Sequence, residues 1–358
     1  MENVVHSCRF CGKNLRRKAR RCPSCGFDVP PPTPEGAPGP SVVQPSAEDV
    51  ALSEQLRPLQ RKKYKFQVGG WVLFGPWFVA TFYFAVTSTS SRNATFSGIF
   101  DVFGIFGLLL VGCCMILSLF FLHKSHQYAK EMKGFISTYV VAGMLAENFE
   151  LTQYDPLSSL TEEQLIISQL QGWDRHTGND FFQGKHRGIS FTFSDVALFK
   201  KKKLDGRDDK VFEGQWLILD LHNKLPAPLM ISTLETKGGF DKETKVQVQP
   251  EGLGDRFTVL TTSPHVVPQV LTPAFIEYLL TPNNLAGYTF STHRPHVFFD
   301  RMQAHIGLYT WDDLFEPCAN VRDIPALRER VQKEIDYIKR IIDGFLLTDG
   351  LFAVEGAD

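Results

Sequence analysis

The chain carries almost no net charge, no familiar catalytic motif and no apolar stretch near its first residue, and each absence argues against a class of function. Its 38 Lys and Arg against 39 Asp and Glu leave a formal charge of -1, so no global field draws it to nucleic acid or to an acidic partner. A nucleophile elbow, a phosphate-binding glycine loop, a dinucleotide fingerprint and a metalloprotease helix are all missing, which leaves no catalytic residue to name. The polar, cysteine-bearing N-terminus lacks the apolar stretch of a secretory signal, so no cleavable leader is expected. Cysteine is scarce, 7 in 358 residues, and four of these fall in two paired motifs near the start. That usage excludes a disulfide framework and points to a reducing compartment.

Those four residues are the most specific feature of the chain. Cys8 and Cys11, then Cys22 and Cys25, are two CxxC pairs, each followed by a glycine, Gly12 or Gly26. A two-residue gap lets a tight turn direct both sulfurs at one ion, and four thiolates complete a tetrahedron. The spacing predicts a zinc-ribbon over residues 1–28 with a structural Zn2+. A closed shell of four sulfurs leaves no open position for metal catalysis. So small a unit has little core, and the metal would supply most of its folding free energy. Between the pairs runs the basic loop Leu15 to Arg21, which suits a protein partner, anionic lipid or, less well, nucleic acid. It lacks the interleaved aromatics of a single-strand binding surface.

Residues 29–56 are rich in Pro, Gly and Ser at their start and read as a flexible linker. Beyond them, two uncharged apolar runs at about 66–86 and 102–122 have about the twenty residues needed to span a bilayer. They predict a transmembrane hairpin over 57–127, with the lipid bilayer as a partner. Basic residues flank the pair (Arg57, Arg61, Lys62, Lys63 and Lys65 before, Lys124, Lys130 and Lys133 after), while the loop between carries only Arg92. The positive-inside rule then gives an integral inner-membrane protein with both termini cytoplasmic.

A helical connector is expected over 128–170, including a helix opened by the capping box Thr161 to Gln164. From there to residue 350 the apolar period switches to two. Strands are expected at Ile189–Leu198, Phe212–Leu221, Leu229–Leu234, Lys245–Gln249, Phe257–Thr261, Gly287–Ser291, His296–Phe299 and His305–Tyr309. Thr272-Pro273 opens a helix to about Leu280, and a long amphipathic helix closes the domain from Asp323 to about Leu347. The fold class that follows is multi-domain: a zinc-ribbon, a transmembrane hairpin, and a cytoplasmic α+β domain built on a mainly antiparallel sheet. Two clusters in this domain are weighed and set aside. The lysines at 200–203 read as a solvated hairpin end. His293, His296, Asp300 and His305 read as scattered, because the alternation of a strand sends His293 and His296 to opposite faces.

Several segments of this domain resemble a known family: Asn179 to Gly184, Phe191 to Asp195, Val211 to Gly214, Leu271 to Leu279 and the closing helix. Together they are similar to a bacterial membrane family known only as domain of unknown function 3137. The first thirty residues separately resemble the widespread zinc-ribbon. The family resemblance implies two membrane helices ahead of a cytoplasmic domain and implies no reaction, ligand or catalytic residue. The function expected is a membrane-tethered binding or regulatory module. The alternatives are an enzyme with an unrecognised pocket or a membrane protein that contacts nucleic acid; a deep pocket with convergent ionisable groups would favour the enzyme.

Overall fold

The structure is a computed structural model, and it describes residues 6–7, 14–15, 46–90, 97–202, 208–233, 246–253, 256–281, 294–310, 313–316, 324–348 and 350–352, with the side chains of 76–90 and 97–111 left aside. The chain divides into two compact units, residues 1–136 with 317–327, and residues 137–316 with 328–358.

In the first unit a two-residue ladder, β1 (His6–Ser7) with β2 (Asn14–Leu15), precedes two long helices, α1 (Ala47–Ser90) and α2 (Ser97–Ile136). Ser46 and Asp49 cap α1 reciprocally: the Ser46 amide donates to Asp49 Oδ2 and the Asp49 amide to Ser46 Oγ, each at 3.1 Å. The helices pair as an antiparallel hairpin. Phe66 packs against Phe121 and Tyr128, and Ser118 Oγ donates to the Gly70 carbonyl at 2.8 Å. Gly70 is required here, because a Cβ would lie 2.8 Å from Leu122 Cδ2.

These helices contain both apolar runs, and they correct the transmembrane expectation. Among the described residues no helix is long and apolar enough to cross a membrane. The transmembrane hairpin and the integral inner-membrane localisation are therefore not supported.

In the second unit a π-helical turn (Ser137–Val141) and α3 (Ala142–Asn148) lead into β3 (Glu150–Asp155). Then follow α4 (Glu162–Ile167), β4 (Arg175–His186), β5 (Ile189–Lys200), β6 (Asp209–Asp220), β7 (Leu229–Ser232), β8 (Val246–Val248) and β9 (Thr258–Thr261). The short α5 (Val267–Val270), α6 (Pro273–Leu280), β10 (Arg294–Phe299), β11 (Gln303–Tyr309) and, from Arg328 onward, α7 (Ile324–Phe345) complete it. All nine strands β3 to β11 form one antiparallel sheet in the order β3-β4-β5-β6-β11-β10-β7-β9-β8.

The register divides the strands cleanly into two faces. Phe193 opposes both Phe182 and Leu217, and Ile306 opposes Leu217 and Val297, so these side chains share one face. That face receives α7, whose Ile335, Ile338, Ile341, Ile342 and Phe345 are wholly buried, and Phe345 meets Phe299 of β10 and Phe275 of α6. On the other face Val196, Leu198, Phe212, Trp216 and Ile218 form a second cluster with Leu160, Leu165 and Leu170. Full burial of each large side chain contributes about 1.5–3 kcal/mol, so α4 and the turn after it are held by the sheet more than by their own helical bonds.

The capping box at Thr161 is present, with both reciprocal hydrogen bonds, although α4 is shorter than the spacing suggests. Most expected strands coincide with observed ones; Gly287–Ser291 lies outside the described residues. Two strands escape the sequence reading. The region 150–155, expected within a helical connector, is the edge strand β3. The polar stretch around Arg175 to Asp180 is the first half of β4. Its bulge between Asn179 and Phe182, with Asp180 at φ 53°, breaks the alternation that reveals a strand.

Candidate functional site

The bulge in β4 builds the most polar point of the sheet. Asp180 is fully buried and Asp195 of β5 nearly so, and with exposed Asp313 they bring carboxylate oxygens within 4.8 Å of one another. Around them Asn179 Nδ2 donates to Asp180 Oδ2 (2.8 Å), Asp313 Oδ1 (3.1 Å) and Glu316 Oε1 (3.3 Å). Asp195 Oδ1 accepts from Gln215 Nε2 at 3.0 Å and Oδ2 from the Leu314 amide at 2.9 Å. Gln215 accepts in turn from Thr310 Oγ1 at 2.7 Å. Buried Glu334 of α7 closes the layer, accepting from Arg330 Nε and from the Phe315 amide. A cavity of about 350 Å³ opens beside the cluster, lined by Gly178, Asn179, Asp195, Glu213, Gly214 and Asp313 among others.

Burial, then the nearby carboxylates of Asp313 and Asp180, push Asp195 well above the usual carboxylate range. Glu334 is raised as well, by burial, against the pull of Arg330. Repulsion among three carboxylates this close, on top of burial, favours the protonated form of Asp195. A raised folded value means stability present below the unfolded value and lost as pH rises through the folded one. Asp313→Asn keeps the oxygen that accepts from Asn179 and removes one repelling charge. Chemical denaturation at pH 5 and pH 8 should show the variant more stable at pH 8, by a few tenths to about 1 kcal/mol because Asp313 is exposed, and little changed at pH 5.

The second candidate is apolar. An open groove of about 810 Å³ lies against α5 and α6, lined by Val267, Leu271, Ile276 and Leu280, with Pro250, Pro268 and Pro273 in its walls. Thr272 fixes the start of α6: its Oγ1 accepts from the Phe275 amide at 3.1 Å and donates to the Leu347 carbonyl at 2.7 Å. The opposite lip is the turn Pro250–Leu253, closed by the Leu253 amide on the Pro250 carbonyl. Gly252 has φ +84° there, the left-handed position of a type II turn. Glu251 and Glu277 stand exposed on the lining, and neither carboxylate has an ion-pair partner among the described residues. Thr272-Pro273 thus opens the helix its sequence predicts. The groove has no sequence signature, since its walls come from a turn and two short helices far apart in the chain.

The expected zinc ligands Cys8, Cys11, Cys22 and Cys25 lie outside the described residues. Among those described, the acidic trio is the group whose ligand atoms converge, and it contains no cysteine, so the expected zinc-ribbon finds no support there. The histidine cluster does not form a site. His293 is outside the described residues, and Asp300 turns the β10–β11 hairpin by accepting from the amides of Met302 and Gln303. His296 is spent on Ser232 Oγ (3.2 Å) and the Ser168 carbonyl (2.8 Å). At the β5–β6 hairpin end Lys202 pairs with Asp209, Arg175 with Asp208 and Lys210 with Glu213, as a solvated charged turn should. Gly184 and Gly214 serve close strand approach: a Cβ on either would press on a neighbouring carbonyl, that of Glu150 or Leu308.

No family model matches the chain, and no curated protein matches it. Among solved structures it is similar to the mycobacterial trehalose monomycolate transport factor A, at 10% identity and a TM-score of 0.30, over 55% of this chain and 90% of that one. A superposition at that level carries no argument about function.

Proposed function

We propose that the α+β unit is a binding module whose groove beside α6 takes an elongated apolar molecule carrying a positively charged group. The supporting observation is the groove itself. It is in the size range of small-molecule sites, its walls are apolar and stiffened by three prolines, and two exposed carboxylates, Glu251 and Glu277, stand on its lining. Apolar burial supplies affinity, and the glutamates supply the sign preference. Among the described lining residues there is no nucleophile–base pair, so we favour binding over catalysis. The acidic cluster beside β4 satisfies the ionisable half of an enzyme pocket, but its carboxylates are engaged with one another, Asn179 and Gln215, and three acids by themselves define no reaction.

Dodecylammonium, dodecanol and dodecyl sulfate, each below its micellar concentration, test the reading by calorimetry. The ammonium should bind saturably and roughly fivefold or more tightly than the sulfate, the scale two exposed charges provide. Glu251→Gln with Glu277→Gln should erase that preference while dodecanol binding persists, and Ile276→Arg should abolish all three. Absence of saturable binding, or a preference that survives the double variant, overturns it.

A further inference from the structure

Between β11 and α7 a four-residue strap, Asp313–Glu316, lies on the α7 side of the sheet at the bulge of β4. Its two middle residues are buried and its two end residues are acidic. The Leu314 amide donates to Asp195 Oδ2 at 2.9 Å and the Phe315 amide to Glu334 Oε2 at 3.0 Å. The Phe315 ring meets Phe182 and Phe193 edge-on, each at 6.1 Å, and Asn179 Nδ2 donates to the acids at both ends. Phe315 holds φ at 57°, which bulky side chains rarely adopt, so the strap is strained as well as anchored. Through Asp313 it also forms part of the wall of the cavity of about 350 Å³.

The strap thus sits on carboxylates while carrying carboxylates. Asp313 brings an oxygen within 4.8 Å of those of Asp180 and Asp195. Around this seat Tyr154 of β3 donates to Asp180 Oδ1, and Tyr337 of α7 to Gln215 Oε1. Arg330 of α7 holds Glu334 at 2.6 Å, and Lys210 holds Glu213 of β6 at 2.6 Å. Burial, then Asp313, raises Asp195; burial also raises Glu334, with Arg330 and the Phe315 amide opposing and Glu316 adding. Such coupling is reciprocal: an acid that hinders its neighbour's ionisation is itself repelled once that neighbour ionises. A group raised in the seated state favours that state below its open value and ceases to do so as pH rises through the seated one.

We propose that Asp313–Glu316 is a proton-held lid, which stays seated in acid, lifts as the carboxylates beneath it ionise, and so opens the cavity beside Asp195 and Glu213.

Amide hydrogen exchange of the full chain, corrected for the intrinsic pH dependence of exchange, tests this. Protection of the Leu314 and Phe315 amides should fall roughly fivefold or more from pH 6 to pH 8.5, while that of Leu217 in β6 holds. Asp313→Asn with Glu316→Gln keeps both acceptors for Asn179 and removes the charge of the lid, so this variant should stay protected at pH 8.5. Constant protection in the wild type overturns the proposal. So does an equal loss at Leu217, which would mean global opening, or a fall that persists in the double variant.

Discussion

Replacing Gly344 by Ala should destabilise the protein by about 3 kcal/mol, although glycine is the poorer helix former by about 1 kcal/mol. Gly344 sits near the end of α7, and a Cβ there would fall inside the ring of Tyr278 from α6. That ring cannot retreat easily. It stacks on Phe275 with an interplanar angle of 13°, its hydroxyl donates to the Arg340 carbonyl at 3.3 Å, and it is 7% exposed. Phe275 in turn meets Phe345 edge-on at 5.1 Å, so movement of Tyr278 disturbs the whole α6–α7 contact. Urea denaturation of Gly344→Ala alone and with Tyr278→Ala isolates the effect. With the ring removed, the added methyl should be neutral or stabilising, as helix propensity alone requires. A single variant more stable than wild type would show that α6 does not dock as described. Because α6 carries Ile276, Glu277 and Leu280 into the groove, the single variant should also lose groove binding.

The second large effect lies on the acid side. His296 and His305 are buried on the same face of the sheet, and burial lowers both from 6.5 to about 4. Asp300 opposes the fall at His305, and His296 adds to it. Both rings are therefore neutral in the folded protein, whereas the unfolded chain takes up protons below about pH 6.5. A depressed folded value means stability that is present above the unfolded value and lost as pH falls towards the folded one. Each ring accounts for a loss of about 3 kcal/mol between pH 6.5 and 4.

The two histidines should respond differently to removal. Neither ring nitrogen of His305 has a hydrogen-bond partner, so His305→Leu should raise stability at pH 7 by about 1–2 kcal/mol and remove its share of the acid loss. His296→Leu strands the buried Ser168 carbonyl and should instead cost about 1–3 kcal/mol at pH 7. Denaturation curves for both variants from pH 7.5 to 4.5 check this. An acid limb unchanged in His305→Leu would mean that its ring is hydrated or charged in the folded state.

Local rules were legible where one segment carries its own instruction. The capping box at Thr161, the Thr272-Pro273 helix start and the isoleucine stripe of α7 all appear as the sequence suggests, because caps and amphipathic periods need no distant partner. β4 was not legible as a strand. Arg175 to Asp180 is polar, and its hydrogen-bonding partner is β5, beyond the turn at Arg187-Gly188, so composition and alternation say loop. The histidines show the same limit: residue parity puts His293 and His296 on opposite faces, but the pairing of β10 with β11 brings His296 and His305 onto one.

What the sequence determined by itself is the antiparallel α+β character of the second unit and the long closing helix, since periods of 2.0 and 3.6 decide which side chains can be buried together. It overreached at the apolar runs, where a mean over residues cannot tell which medium covers a helix. Only the tertiary structure decided the meeting of Asp180, Asp195 and Asp313 across strands, the groove between a turn and two short helices, and the glycine that lets α6 sit on α7. Each depends on atoms far apart in the chain arriving within a few ångströms, and a linear pattern holds no term for that distance.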